Sequence, residues 1–163
     1  FHFGQLMKLD KIPYDDFKLY LFERLNFLVD ADKICDEILD FTKCHPYYTQ
    51  QLGQQVWLRT SQECTKEIVM ESFLSVIGQL SLLFTNILDT LTPKQINFLL
   101  AVANKESNFS SKEVLQKYKL GTSANIKNLK KATLEKDLID IMPGEKIEIQ
   151  DPLFEYWLKA LYH

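Results

Sequence analysis

Apolar residues recur three and four positions apart along most of the chain, and only near residues 138–150 does that rhythm give way to alternation. Phe17, Leu21, Leu25 and Leu28 predict a first helix opened by Pro13, with Asp15 and Asp16 at the positive end of its dipole. Ile34, Ile38 and Phe41 predict a second over 31–42, capped by Asp30. Pro46 opens a third to about Arg59, with Tyr48, Leu52, Val56 and Trp57 as its apolar face. A fourth, 66–89, is apolar nearly all round and predicts a central, buried helix. Ser75, Gly78, Gln79, Ser81, Thr85 and Asn86 interrupt its most apolar stretch, which sets it short of a membrane span, so no membrane partner is expected.

Thr92 and Gln95 then form a capping-box pattern with Pro93 at the first helical position. This is the strongest restart in the chain and divides it into 1–91 and 92–163. Helix 93–104 comes next, then a short helix opened by Ser110 and Glu113 and running to about Tyr118 with Gly121 as its C-terminal stop, then a helix from Thr122 or Ser123 to about Lys136. Two strands, 138–142 and 146–150, flank Pro143-Gly144 and make a hairpin. Asp151 caps a last helix with Pro152 at its first position. The order helix, helix, helix, hairpin is that of a winged helix-turn-helix, so the expected class is mainly α, a helical subdomain followed by a winged helix with a small β-hairpin.

The overall charge of −3 conceals a division. Residues 105–136 hold eight lysines against three glutamates, which points to a polyanion or to a solvated face. Three cysteines without CxxC spacing suit free thiols, and no signal peptide opens the chain, so a cytoplasmic location is expected. Phe1-His2-Phe3 reads as a start in mid-sequence. No phosphate-binding loop, nucleophile constellation or zinc-ligand spacing is present, so neither metal nor catalytic residues are expected in this chain by itself.

Two places can carry function. His45-Pro46 opens the third helix, where free N–H groups can face an anion, or it is a plain helix start with Tyr47 and Tyr48 packed in the core. In the third helix of the winged region, Lys127, Lys130 and Lys131 share a face suited to phosphates, and Asn125 or Asn128 could reach a base edge. No arginine occurs in residues 92–163, which favours nonspecific phosphate contact over base reading. DNA binding by a regulator whose helical half dimerises, and a platform for a protein partner, are both compatible with this pattern.

Taken in order, His45-Pro46-Tyr47-Tyr48-Thr49-Gln50-Gln51-Leu52, Val56-Trp57-Leu58-Arg59-Thr60, Leu91-Thr92 to Gln95, Leu120-Gly121-Thr122-Ser123-Ala124-Asn125-Ile126, Leu138-Ile139 and Asp151-Pro152-Leu153-Phe154 to Trp157-Leu158 resemble the C-terminal part of archaeal-type AAA+/STAND ATPases, also abundant in Bacteroides-type bacteria. The resemblance implies a helical lid followed by a winged helix, behind an upstream P-loop core that this chain lacks. Residues 1–11 would be the link from that core. It further implies that the lid closes over ATP and Mg held by the core and couples nucleotide state to the winged helix. Cys44, His45 and Pro46 match the family's GxP motif with cysteine in place of glycine. That match implies Pro46 as an adenine contact and His45 as a neighbour of the nucleotide. Hydrolysis would need the core, so no cofactor is expected on this chain alone.

Overall fold

The computed structural model describes residues 12–162. The stretch 1–11, expected to link to a preceding core, lies outside the described residues. Among the described residues eight α-helices and one hairpin run in the order α1 (Tyr14–Leu25), α2 (Ala31–Thr42), α3 (Pro46–Arg59), α4 (Lys66–Asp89), α5 (Pro93–Ala103), α6 (Lys112–Lys117), α7 (Ser123–Leu134), β1 (Ile139–Ile141), β2 (Ile147–Ile149) and α8 (Pro152–Leu161). The chain divides into two compact units, residues 1–76 and 77–163. The second therefore takes in the C-terminal half of α4, ahead of the capping box at Thr92.

In the first unit, Phe17, Leu21 and Leu25 from α1 meet Ile34, Ile38 and Leu39 from α2 and Tyr48, Leu52 and Val56 from α3, all buried. Trp57 does not join them and stays 54% exposed. Tyr48, Leu52 and Val56 succeed one another at four-residue steps, whereas Trp57 sits about 100° further round the helix, away from the core. Asp30 occupies the N-cap position of α2, but its backbone is left-handed and its carboxylate makes no cap bond; it holds Lys33 Nζ at 3.1 Å instead.

One buried polar pair joins α2 to α3. Thr42 Oγ1 donates to the Ile38 carbonyl at 2.8 Å and lies 2.7 Å from Thr49 Oγ1. Because Thr42 has only one hydroxyl proton, Thr49 must be the donor to Thr42. On the other side of α2, Asp36 receives Lys18 Nζ at 2.8 Å and the Tyr14 hydroxyl at 2.7 Å, while Lys18 also reaches Asp32 at 2.9 Å.

α4 buries a single stripe, Val69, Phe73, Val76, Ile77, Phe84 and Leu88, and leaves Leu74, Leu82 and Leu83 exposed. It is thus amphipathic in place, not sheathed all round as its composition predicts. By length and composition it does reach what a membrane crossing requires, with mean hydropathy 1.6 over its most apolar window. The stripe of buried positions is equally that of a core helix.

The second unit is a winged helix. The capping box forms as expected: Thr92 Oγ1 accepts from Gln95 N–H at 3.4 Å and Gln95 Oε1 accepts from Thr92 N–H at 2.8 Å. Helix α6 is capped by Ser111, one residue later than read from sequence, and its hydroxyl accepts from Val114 N–H at 3.2 Å. α6 ends at Lys117 with Tyr118 as its C-cap, in line with the expected end near Tyr118, but Gly121 does not make the stop. The helix closes at Lys119, whose backbone is left-handed at φ 52°, with Leu120 N–H bonded to the Leu115 carbonyl at 3.0 Å. That closure swings Leu120 into the core, fully buried like the α5 core residues Phe98 and Leu99. β1 and β2 pair antiparallel with Ile139 opposite Ile149 and Ile141 opposite Ile147. Asp151 Oδ1 accepts from Leu153 and Phe154 N–H at 2.8 and 2.9 Å, so α8 begins where the sequence places it.

The polar contacts of the first unit give two expected outcomes. Thr42→Val strands the Thr49 hydroxyl in the core and is expected to lower stability by about 1–3 kcal/mol, whereas Thr49→Val removes one bond and lowers it by about 1 kcal/mol. The double variant is expected to be more stable than the sum of the two losses predicts, as read by urea unfolding. Separately, the Lys18 and then the Tyr14 hydrogen bonds hold the Asp36 carboxyl below its ordinary range. Its folded pKa lies below the unfolded one, so its stabilisation is present above the ordinary carboxylate range and is lost as pH falls through the depressed value. Asp36→Asn is expected to flatten the fall in melting temperature between about pH 5 and pH 2.

Candidate functional site

The first candidate is the turn between α2 and α3. Thr42 ends α2, and Lys43 and Cys44 come after it with left-handed backbones, φ 48° and 56°. Both their N–H groups point at the Leu39 carbonyl, and His45 N–H returns to the Thr42 carbonyl at 2.9 Å. The chain is thereby reversed within three residues, and His45 becomes the N-cap of α3 with Pro46 at its first position. His45 provides no side-chain cap; its ring stacks on Tyr48, centroids 4.3 Å apart, and Nδ1 is enclosed without a hydrogen-bond partner among the described residues. Tyr48 is buried and Tyr47 exposed, so the expectation that both pack in the core holds for one of the pair. Pro46 is exposed. The residue before the His-Pro pair has the backbone that favours glycine although it is cysteine, a strain of about 1–2 kcal/mol for an L-residue.

The second candidate is α7. Lys127, Asn128 and Lys131 are exposed and Lys130 is half-buried, while Leu129 and Thr133 turn inward. Helical spacing of i, i+3 and i+4 brings the three lysines to one side. Asn125 is placed differently from Asn128: its amide nitrogen lies 2.6 Å from where a Cβ on Gly121 would stand. Gly121, at φ 90°, leaves the room that this side chain fills, and Lys94 Nζ borders the same spot at 3.4 Å. Asn125 therefore folds back over the turn before α7, while Asn128 stays open to solvent. The N-cap residue Thr122 makes no side-chain bond to the first turn.

The lysine excess of residues 105–136 separates into two groups. Lys105 is tied to the buried Glu155 at 2.9 Å, Lys117 to Glu106 at 2.7 Å and Lys131 loosely to Glu135 at 3.7 Å. Lys136 donates to the Thr90 carbonyl at 3.4 Å. Lys112, Lys119, Lys127 and Lys130 meet no carboxylate among the described residues. Glu106, gripped by Lys117 and also by the Tyr118 hydroxyl at 3.1 Å, is held below its ordinary carboxyl range. The charge that remains available to a ligand thus lies on α7 and at the two ends of α6.

Sequence reasoning missed a third feature. Between α1 and α3 runs a groove of about 460 Å³, bordered by Arg24 stacked over the Tyr20 ring and by the exposed Trp57. Its signal lay in the spacing of Gln50, Gln54 and Trp57 along the outer side of α3. Among the described residues no group of three or more His, Cys, Asp or Glu is arranged to hold a metal ion.

No curated protein and no solved structure matches the chain. Residues 82–160, just under half of the chain, match the family described as a probable winged helix domain. That span runs from the C-terminal half of α4 to α8, and together with the α5–α6–α7 order and the β1–β2 hairpin it makes this part of the chain a winged helix domain.

Proposed function

We propose that the winged helix binds duplex DNA through its phosphates, with α7 as the presenting helix. The observation that carries this reading is the set of cations left unpaired: Lys127 and Lys130 without an acidic partner among the described residues, beside Lys131 in a stretched, exposed pair. Lysine is a point charge without the planar fork that reads guanine, and no arginine occurs in residues 92–163. Contact is then with the backbone and nearly independent of sequence. Asn128 is the one open amide on that helix able to add a base contact. A 20-base-pair duplex titrated by fluorescence anisotropy is expected to bind more weakly as salt rises, with a log–log slope of about −3 if three lysines each neutralise a phosphate. Replacing Lys127, Lys130 and Lys131 by alanine is expected to remove most of that slope. No binding at about 50 mM salt would refute the reading and leave a protein partner as the ligand of the winged helix.

A second reading is favoured by the turn at 44–46. In a longer protein carrying a P-loop core, the first unit would be the lid over ATP and Mg, with Pro46 against the adenine and His45 beside it. Its support is the glycine-like backbone at Cys44 and the exposed ring of Pro46 at the first position of α3. Pro46→Ala in the full-length protein is expected to weaken ATP binding about tenfold, the loss of roughly one apolar contact. An unchanged affinity by calorimetry would remove Pro46 from the nucleotide site.

A further inference from the structure

One more unpaired cation stands beside α7. Lys94, in the first turn of α5, is exposed and meets no carboxylate among the described residues. A helix dipole favours acidic side chains at that end, yet α5 has none in its first turn, so a lysine there does not help the helix. Its ammonium reaches across to the start of α7. The point where a Cβ on Gly121 would stand lies 3.4 Å from Lys94 Nζ and 2.6 Å from Asn125 Nδ2, so the two nitrogens are separated by at most the sum of those distances. Both are donors, and neither forms a hydrogen bond with a described residue. A side chain at Gly121 would collide with the Asn125 amide, so the glycine leaves the space that both nitrogens border.

Position around α7 sets this cation apart from the other three. At about 100° per residue, Asn125 lies about 160°, 140° and 120° around the helix from Lys127, Lys130 and Lys131 respectively. Lys94, next to Asn125, thus flanks α7 on the side away from its own lysines. A helix is about 10–12 Å across, close to the roughly 12 Å width of the DNA major groove, whose two walls are the phosphates of opposite strands. Cations on one flank of such a helix meet one wall, whereas cations on both flanks meet both.

We infer, resting on the reading that α7 binds DNA phosphates, that Lys94 makes a phosphate contact of its own, on the strand opposite the one met by Lys127, Lys130 and Lys131. The test is the anisotropy titration of the full chain between about 50 and 200 mM salt, with the duplex and with one of its strands alone. Lys94→Gln removes the charge and leaves the Thr92–Gln95 capping box in place. Its log–log slope on the duplex is expected to be shallower by about 0.9, the value of one phosphate contact, and its slope on the single strand to match that of the unaltered chain. Lys94→Arg is expected to keep the full duplex slope. The melting temperature of Lys94→Gln is expected to stay that of the unaltered chain, because the side chain is exposed and unpaired. An unchanged duplex slope in Lys94→Gln overturns the inference and leaves the phosphate reading of α7 standing. An equal loss of slope on the single strand overturns the second-strand assignment. Absence of duplex binding by the unaltered chain at about 50 mM salt overturns the reading itself, and the inference with it.

Discussion

Each helix must satisfy the backbone groups that its last turn leaves unpaired, and after α2, α5, α6 and α7 this chain forces non-glycine residues into the left-handed region. Lys43 and Cys44 end α2, Lys105 ends α5, Lys119 ends α6 and Asp137 lies just past α7, all with positive φ. At Lys105, Glu106 N–H returns to Ala101 and Lys105 N–H to Val102; at Lys119 the same pair of bonds runs from Leu120 to Leu115 and from Lys119 to Gln116. These are Schellman closures with lysine where glycine is usual. Each carries a strain of about 1–2 kcal/mol, which persists where burial of the next residues over-determines the path of the chain. Leu120 after Lys119 and Ile139 after Asp137 are both essentially inaccessible.

Both candidate sites inherit that constraint. The double left-handed turn at Lys43 and Cys44 lets α3 begin within a few residues of the end of α2, which puts His45 and Pro46 at a helix start held from below by the Thr42–Thr49 pair. In the winged helix, closing α6 at Lys119 frees Gly121 for a different task. Its missing side chain makes room for Asn125, which packs back over the turn and leaves Asn128 as the outward amide of α7. The geometry of each site is therefore set by how the preceding helix stops.

Most of the fold was readable in the amino-acid sequence because its signals are local. The Thr92–Gln95 capping box, the Asp151-Pro152 helix start and the four-residue steps of Tyr48, Leu52 and Val56 depend on neighbours a few positions away. The features that escaped depend on contacts from afar. Glycine is the expected helix stop and points to Gly121, although Lys119 makes the left-handed closure of α6 and Leu120 is buried behind it. Trp57 read as core because tryptophan is large and apolar, yet its angle on α3 puts it outside. The α1–α3 groove needs both helices in place before Gln50, Gln54, Trp57 and Arg24 share a wall and a rim, and no run of sequence brings them together.

Charge illustrates the same distinction between composition and placement. A run with eight lysines and three glutamates looks like one basic surface, but the structure removes Lys105 and Lys117 into short ion pairs that hold turns together. Lys105 in particular neutralises Glu155, a carboxylate that α8 buries and that would be strongly destabilising if left alone. Such a lysine is committed before any ligand arrives: it holds Glu155 at 2.9 Å, closer than Lys159 at 3.7 Å on the same carboxylate. Lys127 and Lys130 have no such commitment and form no ion pair among the described residues that a polyanion must first break. Net charge thus overstates the surface open to a partner, and the count of unpaired cations on one helix face is the quantity that bears on binding.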